Sequence, residues 1–414
     1  ADLYTSLFRV LIPLTSAFVG LLSMQYVSRR LKYAGEYYGL LVIATLAMVL
    51  MTGAGELITA YVSLETLNFC LYVLAGYDRT NLRSNEAGVK YVILSAFASA
   101  LLLYGISLLY GLTGVTTFSG ISTALAAPAA GQDIALFAAL TFMVAGLGFK
   151  LAAAPFHAWT PDVYEGAPTP VTALIAVGSK TAAFALVIRL FTEALAPAFY
   201  FWQPLIVVLP VVSMVWGNLV AIQQTNVKRL LAYSSISQVG YVLVALAALS
   251  QDSATAALVH LAGYAVTNLA AFACVIAYQN QTGSEDLAGY GGMAQRAPLL
   301  AFGLAVSLFS LAGMPLFAGF VTKFYLFTAA AAGGLLWLVA VAVVASMVSL
   351  YYYLKVLREA YITAPAEEGA LRIGFVLRST IVVLIILVFA VGLYPYPLVG
   401  IVNGATEALP FLRF

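Results

Sequence analysis

Four ionisable side chains lie inside apolar stretches long enough to span a membrane: Glu65, Lys150, Lys180 and Lys323. Placing a charge in hydrocarbon costs roughly 2.5 kcal/mol or more, so such residues are rare and usually line an ion or proton path. Only 9% of the residues are charged, yet one carboxylate and three amines stand where lipid disfavours them. The pattern indicates movement of protons or small cations across a bilayer.

Glu65 stands at the middle of its apolar stretch. A carboxylate there must either face a cation or be protonated, because burial favours the protonated form and a nearby amine favours the ionised form. A group held between these two influences is suited to switching its protonation state. The alternative is a static salt bridge between helices, which would carry no proton.

The three lysines form the second part of the pattern. Lysine is a compact charge on a flexible stem and gives up its proton readily when buried. A carboxylate that approaches or leaves Lys150 would make that lysine hold or release its proton. The alternative is that the stems reach out to the membrane surface. That alternative suits Arg189, near the end of its stretch, better than Lys180 in mid-stretch.

His157 and His260 also lie within apolar surroundings. Histidine titrates near neutral pH and suits a relay, but a buried histidine is as often a neutral, hydrogen-bonded core residue. Glu86 and Lys90 are four residues apart at the start of a stretch, the spacing of a surface pair on a helix.

The composition is that of a polytopic, all-α membrane protein. Of 414 residues, 63% are hydrophobic, and the mean hydropathy is +0.98; soluble domains are far less apolar. Cys70 and Cys274 are far apart in the sequence, which indicates neither a metal site nor an iron–sulfur cluster. No nucleotide-binding motif is present. Energy must therefore come from an ion gradient or a partner protein. The lipid bilayer is an expected partner, and nucleic acid is not.

Runs of about 20 apolar residues predict about twelve transmembrane helices. They lie near 3–27, 37–54, 56–76, 89–111, 134–153, 169–193, 204–223, 230–249, 254–279, 299–327, 334–357 and 374–394.

Basic residues sort the connecting loops into two groups. Lys and Arg cluster in the loops after the first, third, seventh, ninth and eleventh spans, but segments 112–133, 194–203, 250–253 and 328–333 have none. The positive-inside rule places the basic loops in the cytoplasm and both termini on the outer side. A multi-pass protein of a prokaryotic cytoplasmic membrane is expected.

Two of the predicted helices contain breaks. Pro155 interrupts the fifth and the run Ala312–Pro315 interrupts the tenth, with Lys150 and Lys323 nearby. Proline breaks a helix, and in a membrane the freed backbone groups are tolerated only where protein or internal water satisfies them. Interrupted helices at corresponding positions predict two inverted repeats with an ion site at each break. The alternative is two proline kinks that coincide by chance.

Four segments follow from this prediction. They are an N-terminal helix and loop (1–36), two repeats (37–193 and 204–357), and a C-terminal helix and tail (358–414).

Two long motifs are recognisable: GLGFKLAAAPFHAWTPDVYEGAPTPV at 146–171 and NVKRLLAYSSISQVGY at 226–241. They resemble the signature of the antiporter-like subunits of respiratory complex I, and the resemblance runs from about residue 30 to 400. Within that family the chain looks most like the N type. M-type subunits carry glutamate at the position of Lys323, and L-type subunits carry a long lateral helix that this chain lacks.

The resemblance implies roles for particular residues. Glu65 matches the family's essential carboxylate, Lys150 and Lys180 its paired lysines, and Lys323 the lysine of its second broken helix. Two inverted five-helix repeats, each with a half-channel, would be joined by a buried polar axis. Protons would be taken up from the cytoplasm near Lys180 or Lys150, gated by Glu65, passed along by His260 and released near Lys323.

The chain departs from the family pattern in two ways. The family usually has fourteen helices, and this chain starts where the third would. Asn268 stands where related subunits can carry a lysine, which places more of the relay on His260, hydroxyl groups and water.

The implied function is that of a proton-translocating membrane-arm subunit of an NADH–quinone oxidoreductase. No cofactor is expected in this chain. Quinone, flavin and iron–sulfur clusters are expected in partner subunits, and an M-type and a small K-type subunit are the expected neighbours. Two rivals stay open: a subunit of a multi-subunit cation/proton antiporter, and a scaffold whose buried charges only couple its neighbours.

Overall fold

The computed structural model describes residues 2–126, 131–365, 369–407 and 409. Throughout this part of the chain the regular elements are helices, joined by turns and two isolated β-bridges. The α-helices are α1 Leu3–Arg30, α2 Ala34–Thr52, α3 Leu57–Ala75, α4 Leu82–Thr113, α5 Phe118–Ala126, α6 Asp133–Leu151, α7 Trp159–Gly166, α8 Thr169–Leu174, α9 Lys180–Arg189, α10 Phe199–Ile222, α11 Val227–Ala248, α12 Gln251–Thr282, α13 Met293–Arg296, α14 Pro298–Ala312, α15 Ala318–Ala332, α16 Leu336–Tyr361, α17 Phe375–Leu393 and α18 Tyr396–Thr406.

Among the described residues, 11 helices are long and apolar enough to cross a membrane. They include one continuous helix over Thr169–Ala194, made of α8, α9 and two π-helical turns. The remaining span is the broken pair α14 and α15, which are too short to cross singly. The prediction of an all-α polytopic membrane protein is confirmed; 11 of its twelve spans are single long helices, and α14 with α15 occupies the place of the remaining one.

Polar residues fix several helix starts. Asn81 and Asn226 accept hydrogen bonds from backbone amides in the first turns of α4 and α11. Ser250 forms a reciprocal capping box with Ser253 at the start of α12. Such caps satisfy amides that the helix leaves unpaired.

The same order of elements occurs twice. Glu56, just before α3, forms an isolated bridge with Thr117, and Asn226, just before α11, forms one with Asp286. In each case a broken helix follows, α6–α7 or α14–α15. Two repeats would give this order, and the division into 37–193 and 204–357 stays a prediction.

The buried centre consists of the Thr169–Ala194 helix, α11 and α12. The most apolar windows of the first two are entirely buried, and that of α12 is nearly so. Helices at the edge, such as α2 and α17, bury only about a third of theirs. Lys180 and His260, which lie within these buried windows, are therefore inside the protein.

Three features differ from the sequence prediction. The sixth predicted span contains π turns at Ile175–Ser179 and Leu190–Ala194. Helices α5 and α13 lie in segments predicted to be loops, and α18 lies in the predicted tail. The spacing of apolar residues does not reveal the single extra residue that makes a π turn. Helix α5 was not predicted because it is too short to span a membrane. Within the predicted C-terminal segment, 366–368, 408 and 410–414 lie outside the described residues.

Candidate functional site

Glu65 lies on α3, half-buried, with its carboxylate facing α4. Ser99 of α4 donates a hydrogen bond of 2.5 Å to Glu65 Oε1. Asn68 donates its Nδ2 to the same oxygen at 3.1 Å. Glu65 and Asn68 are three residues apart and so share one face of the helix. Neutral donors hold the carboxylate.

Lys150 lies next to the last residue of α6 and is 4% exposed. Its Nζ donates to Asn68 Oδ1 at 2.6 Å. The helix ends at once, with Ala152 in the left-handed region at φ 63°. The C-terminal end of a helix favours a cation. The helix end at the predicted break therefore positions the Lys150 ammonium. Asn68 connects this ammonium to Glu65 through two hydrogen bonds.

Lys180 directly follows the π turn at Ile175–Ser179 and is 2% exposed. Its Nζ donates to Ser235 Oγ of α11 at 2.8 Å, and the ring of Tyr164 lies 5.7 Å away. Inside the turn, the carbonyl of Ala176 accepts from Tyr264 of α12 at 3.2 Å. Single π turns are frequent at functional sites. Lys180 and the π turn before it therefore contact both α11 and α12.

His260 lies on α12, one turn before Tyr264, and is 2% exposed. Its Nδ1 lies 3.0 Å from the hydroxyl of Thr322 on α15. The rings of His260 and Tyr264 are stacked at 6.4 Å. His260 therefore contacts two residues. One is Thr322, which precedes Lys323, and the other is Tyr264, whose hydroxyl donates to the π turn.

Lys323 lies on α15 and is 3% exposed. Its Nζ donates to the carbonyl of Leu311 at 2.7 Å and to Ser346 Oγ at 2.9 Å. The last carbonyls of a helix have no partner within it, so the end of α14 supplies acceptors. The ring of Tyr241 lies 4.5 Å below the ammonium, within cation–π range. The second break thus holds the second lysine.

The three lysines share one property. None of Lys150, Lys180 and Lys323 forms an ion pair with any residue that the structure describes. Their partners are an amide, hydroxyls, carbonyls and aromatic rings. A static salt bridge from Glu65 to one of these lysines, the alternative stated above, is therefore not what the geometry shows.

Buried polar atoms without a protein partner lie beside these groups. They are Thr181 Oγ1, Ser237 Oγ, Tyr241 Oη and His260 Nε2, within the residues that the structure describes. Buried polar groups are almost always hydrogen-bonded, and ordered water is the usual partner where protein supplies none. The axis through the central helices is therefore polar enough to hold water.

Other candidate residues lie apart from this axis. His157 is half-buried and packs against Trp216 with ring centroids at 6.1 Å, on the break itself. Lys90 pairs with Glu86 at 2.6 Å, as predicted for a surface pair, and also with Asp162 at 2.7 Å. None of these side chains hydrogen-bonds to the buried lysines in the described chain.

The Arg189 side chain is buried and held by ion pairs and hydrogen bonds to other helices. Its side chain is 8% exposed and pairs with Glu193 at 3.0 Å and with Asp2. It also donates to Thr5 Oγ1 at 2.7 Å. A guanidinium offers five donors in a rigid fork, so it can tie α1 to α9 in this way. Arg189 therefore connects helices, and among the described residues it forms no hydrogen bond with the groups around Lys150, Lys180 or Lys323.

Sequence reasoning missed the neutral partners. Asn68, Ser235, Thr322 and Ser346 hold the charged groups in place, and each was passed over as an ordinary polar residue. Asn68 could have been found, because it lies one turn from Glu65 on the same face. The other three depend on packing between distant helices, which spacing alone does not show.

The arrangement can move a proton and offers no other obvious chemistry. It consists of titratable groups linked to hydroxyls, an amide and a phenol ring across the buried centre. No group of three or more His, Cys, Asp or Glu residues that could hold a metal ion occurs among the described residues.

Comparison with known proteins gives a consistent result. The family model for the NADH:quinone oxidoreductase/Mrp antiporter transmembrane region matches residues 54–349. NADH-quinone oxidoreductase subunit N of Moorella thermoacetica is 43% identical over 398 residues, covering 96% of this chain and 83% of the relative.

Solved structures have the same fold. A chain of respiratory complex I from Thermus thermophilus with bound aureothin superposes with a TM-score of 0.81 and 34% identity, over 97% of this chain and 86% of that one. A chain of the Mrp complex from Dietzia sp. superposes with a TM-score of 0.90 at 24% identity, over 99% and 82%. At that identity the second likeness concerns the fold alone.

Proposed function

The chain belongs to the NADH:quinone oxidoreductase/Mrp antiporter transmembrane family, and on that premise we propose that its buried groups carry protons across the membrane. It is an integral membrane protein whose relatives are subunits of NADH-quinone oxidoreductase. The assembly we propose is of the complex I type, with this chain in the membrane arm.

The observation that carries the proposal is the state of the three lysines. Each is at most 4% exposed, and neutral groups alone contact it among the described residues. A buried ammonium without a counter-charge is costly and gives up its proton readily. Three such groups buried within a membrane protein suit a relay better than a scaffold, which would retain paired charges.

The proposed path runs through the buried groups in turn, with hydroxyl groups and water between them. A proton taken up from the cytoplasmic side reaches Lys180, or Lys150 under the control of Glu65. It passes the Tyr264–His260 pair and reaches Lys323. His260 takes the central role because Asn268, which donates to the Tyr264 carbonyl at 3.1 Å, cannot carry a proton at neutral pH. Release near Lys323 completes the transfer.

Coupling would act through Asn68. Quinone reduction in neighbouring subunits would supply the energy, and this chain would hold no redox centre. A movement of Glu65 relative to Lys150 alters the field at the ammonium and so its proton affinity. The neighbours are proposed to be an M-type and a K-type subunit. The membrane is proposed to be prokaryotic and cytoplasmic, with both termini outside.

The test uses the intact complex in everted membrane vesicles. Lys150→Ala should abolish proton uptake linked to quinone reduction, while the amount of assembled complex on native gels stays within about twofold of wild type. Lys32→Ala is the matched control, because Lys32 is exposed in a loop. Wild-type proton uptake per electron in Lys150→Ala would overturn the proposal.

Two further outcomes separate the rivals. Loss of assembly with normal pumping by the surviving complexes would favour the scaffold. The family description also covers Mrp antiporters. Purification with antiporter subunits, and without flavin and iron–sulfur subunits, would favour a cation/proton antiporter.

A further inference from the structure

A polar cavity of about 370 Å³ opens on the face that carries the basic loops. Charged and amide side chains line it, among them Arg30, Asp78, Glu165, Gln279 and Glu285. Lys228 forms part of the same wall. We propose that this cavity is where protons enter the chain, and that the Lys228–Glu285 ion pair passes them inward to Lys180. The inference rests on the proposed function and adds its uptake site.

The ion pair lies across the boundary between cavity and interior. Lys228 Nζ lies 2.7 Å from Glu285 Oε1, and their side chains are 3% and 18% exposed. The ammonium also donates to the carbonyl of Ala167 at 3.1 Å, and Gln279 donates to the carboxylate. The carboxylate therefore faces water while the ammonium lies inside.

This asymmetry allows a balanced exchange. A proton that arrives from cavity water neutralises the Glu285 carboxylate and breaks the ion pair. Lys228 is then a buried ammonium without a counter-charge, so it releases one proton inward. Glu285 passes its proton to the neutral amine, and the pair forms again. One proton has been taken up and one delivered.

The inward route begins on the same helix face. Lys228 and Ser235 are seven residues apart on α11, so they lie on one side of the helix about 10.5 Å apart along its axis. Ser235 Oγ accepts from Lys180 at 2.8 Å and lies 3.4 Å from the hydroxyl of Tyr164.

The end of α7 closes this route on the other side. Tyr164 is three residues before Ala167, whose carbonyl accepts from Lys228. The segment 164–167 therefore contacts both Lys228, at the floor of the cavity, and Ser235, which accepts a hydrogen bond from Lys180. By contrast, the larger groove beside α14 and α16 is lined by side chains such as Phe302, Phe309 and Phe389, which offer no proton acceptor.

Blocking the cavity after assembly tests the proposal without risk to folding. Ser284 lines the cavity, and both native cysteines are buried. Ser284→Cys complexes in everted vesicles would be labelled with a membrane-impermeant, positively charged thiosulfonate. Proton uptake should fall at least about tenfold relative to the same vesicles before labelling, because a positioned proton-transfer group typically contributes about 10²–10⁴-fold. Right-side-out vesicles, exposed to the reagent and then everted, should keep theirs.

Ser28→Cys is the matched control, since Ser28 is exposed on the same face and does not line the cavity. Its labelling should leave uptake unchanged. Full uptake by labelled Ser284→Cys vesicles would overturn the proposal.

The ion pair is tested separately. Glu285→Gln should lower proton uptake per assembled complex at least about tenfold, and Glu285→Asp should retain at least about half of it, because only the second variant keeps a titratable carboxyl group. Equal uptake by the two variants would overturn the role of Glu285. If Lys150→Ala abolishes pumping while these variants pump normally, only the uptake site fails. If Lys150→Ala also pumps normally, the proposed function fails.

Discussion

The ammonium of Lys150 lies 2.6 Å from the carboxamide oxygen of Asn68. The nitrogen of the same carboxamide lies 3.1 Å from Glu65 Oε1. Carboxylate and ammonium are thus connected through one neutral group and do not touch. A direct ion pair would have to break before Lys150 could change its proton. A bridging amide transmits the field of Glu65 and leaves Lys150 free to exchange.

The bridge can be removed with little change in shape. Asn68→Leu leaves the Lys150 ammonium buried without its acceptor, which costs about 1–3 kcal/mol. Since 1.4 kcal/mol is a factor of ten, we expect proton uptake to fall about tenfold or more. The measurement is proton uptake in everted vesicles, divided by the amount of assembled complex.

Ser99→Ala is the comparison for this variant. It removes the other hydrogen bond to Glu65 and leaves the bridge in place. We expect a smaller loss than in Asn68→Leu. Equal losses in the two variants would show that the amide bridge has no special part in coupling.

The sequence predicted the charged groups and the breaks but not what connects them. Glu65, Lys150 and Lys323 stand out because a charge within an apolar run is energetically expensive. Pro155 and Pro315 mark the breaks because proline cannot continue a helix. These signals are local, and the structure buries Lys150 and Lys323 and leaves Glu65 half-buried.

Features that depend on packing could not be predicted in the same way. The π turn before Lys180 contains no proline, and its residues, Ile175–Ser179, read as ordinary apolar helix. The contact of Thr322 with His260 joins residues 62 positions apart. Arg189 has its partner Asp2 at the start of the chain. Nothing in the spacing of these residues indicates that they meet.

The hydroxyl of Thr322 should be necessary for transfer past His260. Valine has nearly the same shape and no hydroxyl, so Thr322→Val leaves the buried Nδ1 atom unpaired, at a cost of about 1–3 kcal/mol. Proton uptake should fall about tenfold, with assembly retained. Thr380→Val is the control, because among the described residues the Thr380 hydroxyl bonds only within α17, where it donates to the carbonyl of Val376 at 2.8 Å. Equal uptake in both variants would remove Thr322 from the path.

Gly319 should be essential for building the second break. A Cβ atom added there would lie 1.7 Å from the backbone carbonyl oxygen of Ser310. Backbone cannot move aside as a flexible side chain can, and overpacking of a tight contact typically costs about 1–3 kcal/mol or more. Gly319→Ala should therefore lower the amount of assembled complex about tenfold on native gels.

The matched change is Gly111→Ala, where no atom lies within 4 Å of the added Cβ. Alanine is a better helix former than glycine, so assembly should be kept or slightly increased. Normal assembly of Gly319→Ala would show that α14 and α15 can separate without loss.

Asp162 makes acid stability sensitive to a single carboxyl group. It accepts from Lys90 at 2.7 Å and from Arg229 at 2.7 Å. Burial raises its pKa, but these cations outweigh burial and hold the pKa below the ordinary value of 3.8. A lowered pKa in the folded state stabilises the fold when the group is ionised. The contribution is therefore complete above about pH 4 and is lost as the pH falls through the lower, folded-state pKa.

Thermal unfolding of the detergent-solubilised complex between about pH 3 and pH 6 measures this contribution. Asp162→Asn should unfold at a lower temperature than wild type at pH 6, because its amide cannot pair with Lys90 and Arg229 as an anion does. The difference should shrink as the pH falls below 3.8 and the wild-type carboxyl takes up its proton. A difference that stays constant over the whole range would show that Asp162 acts through shape and not through its charge.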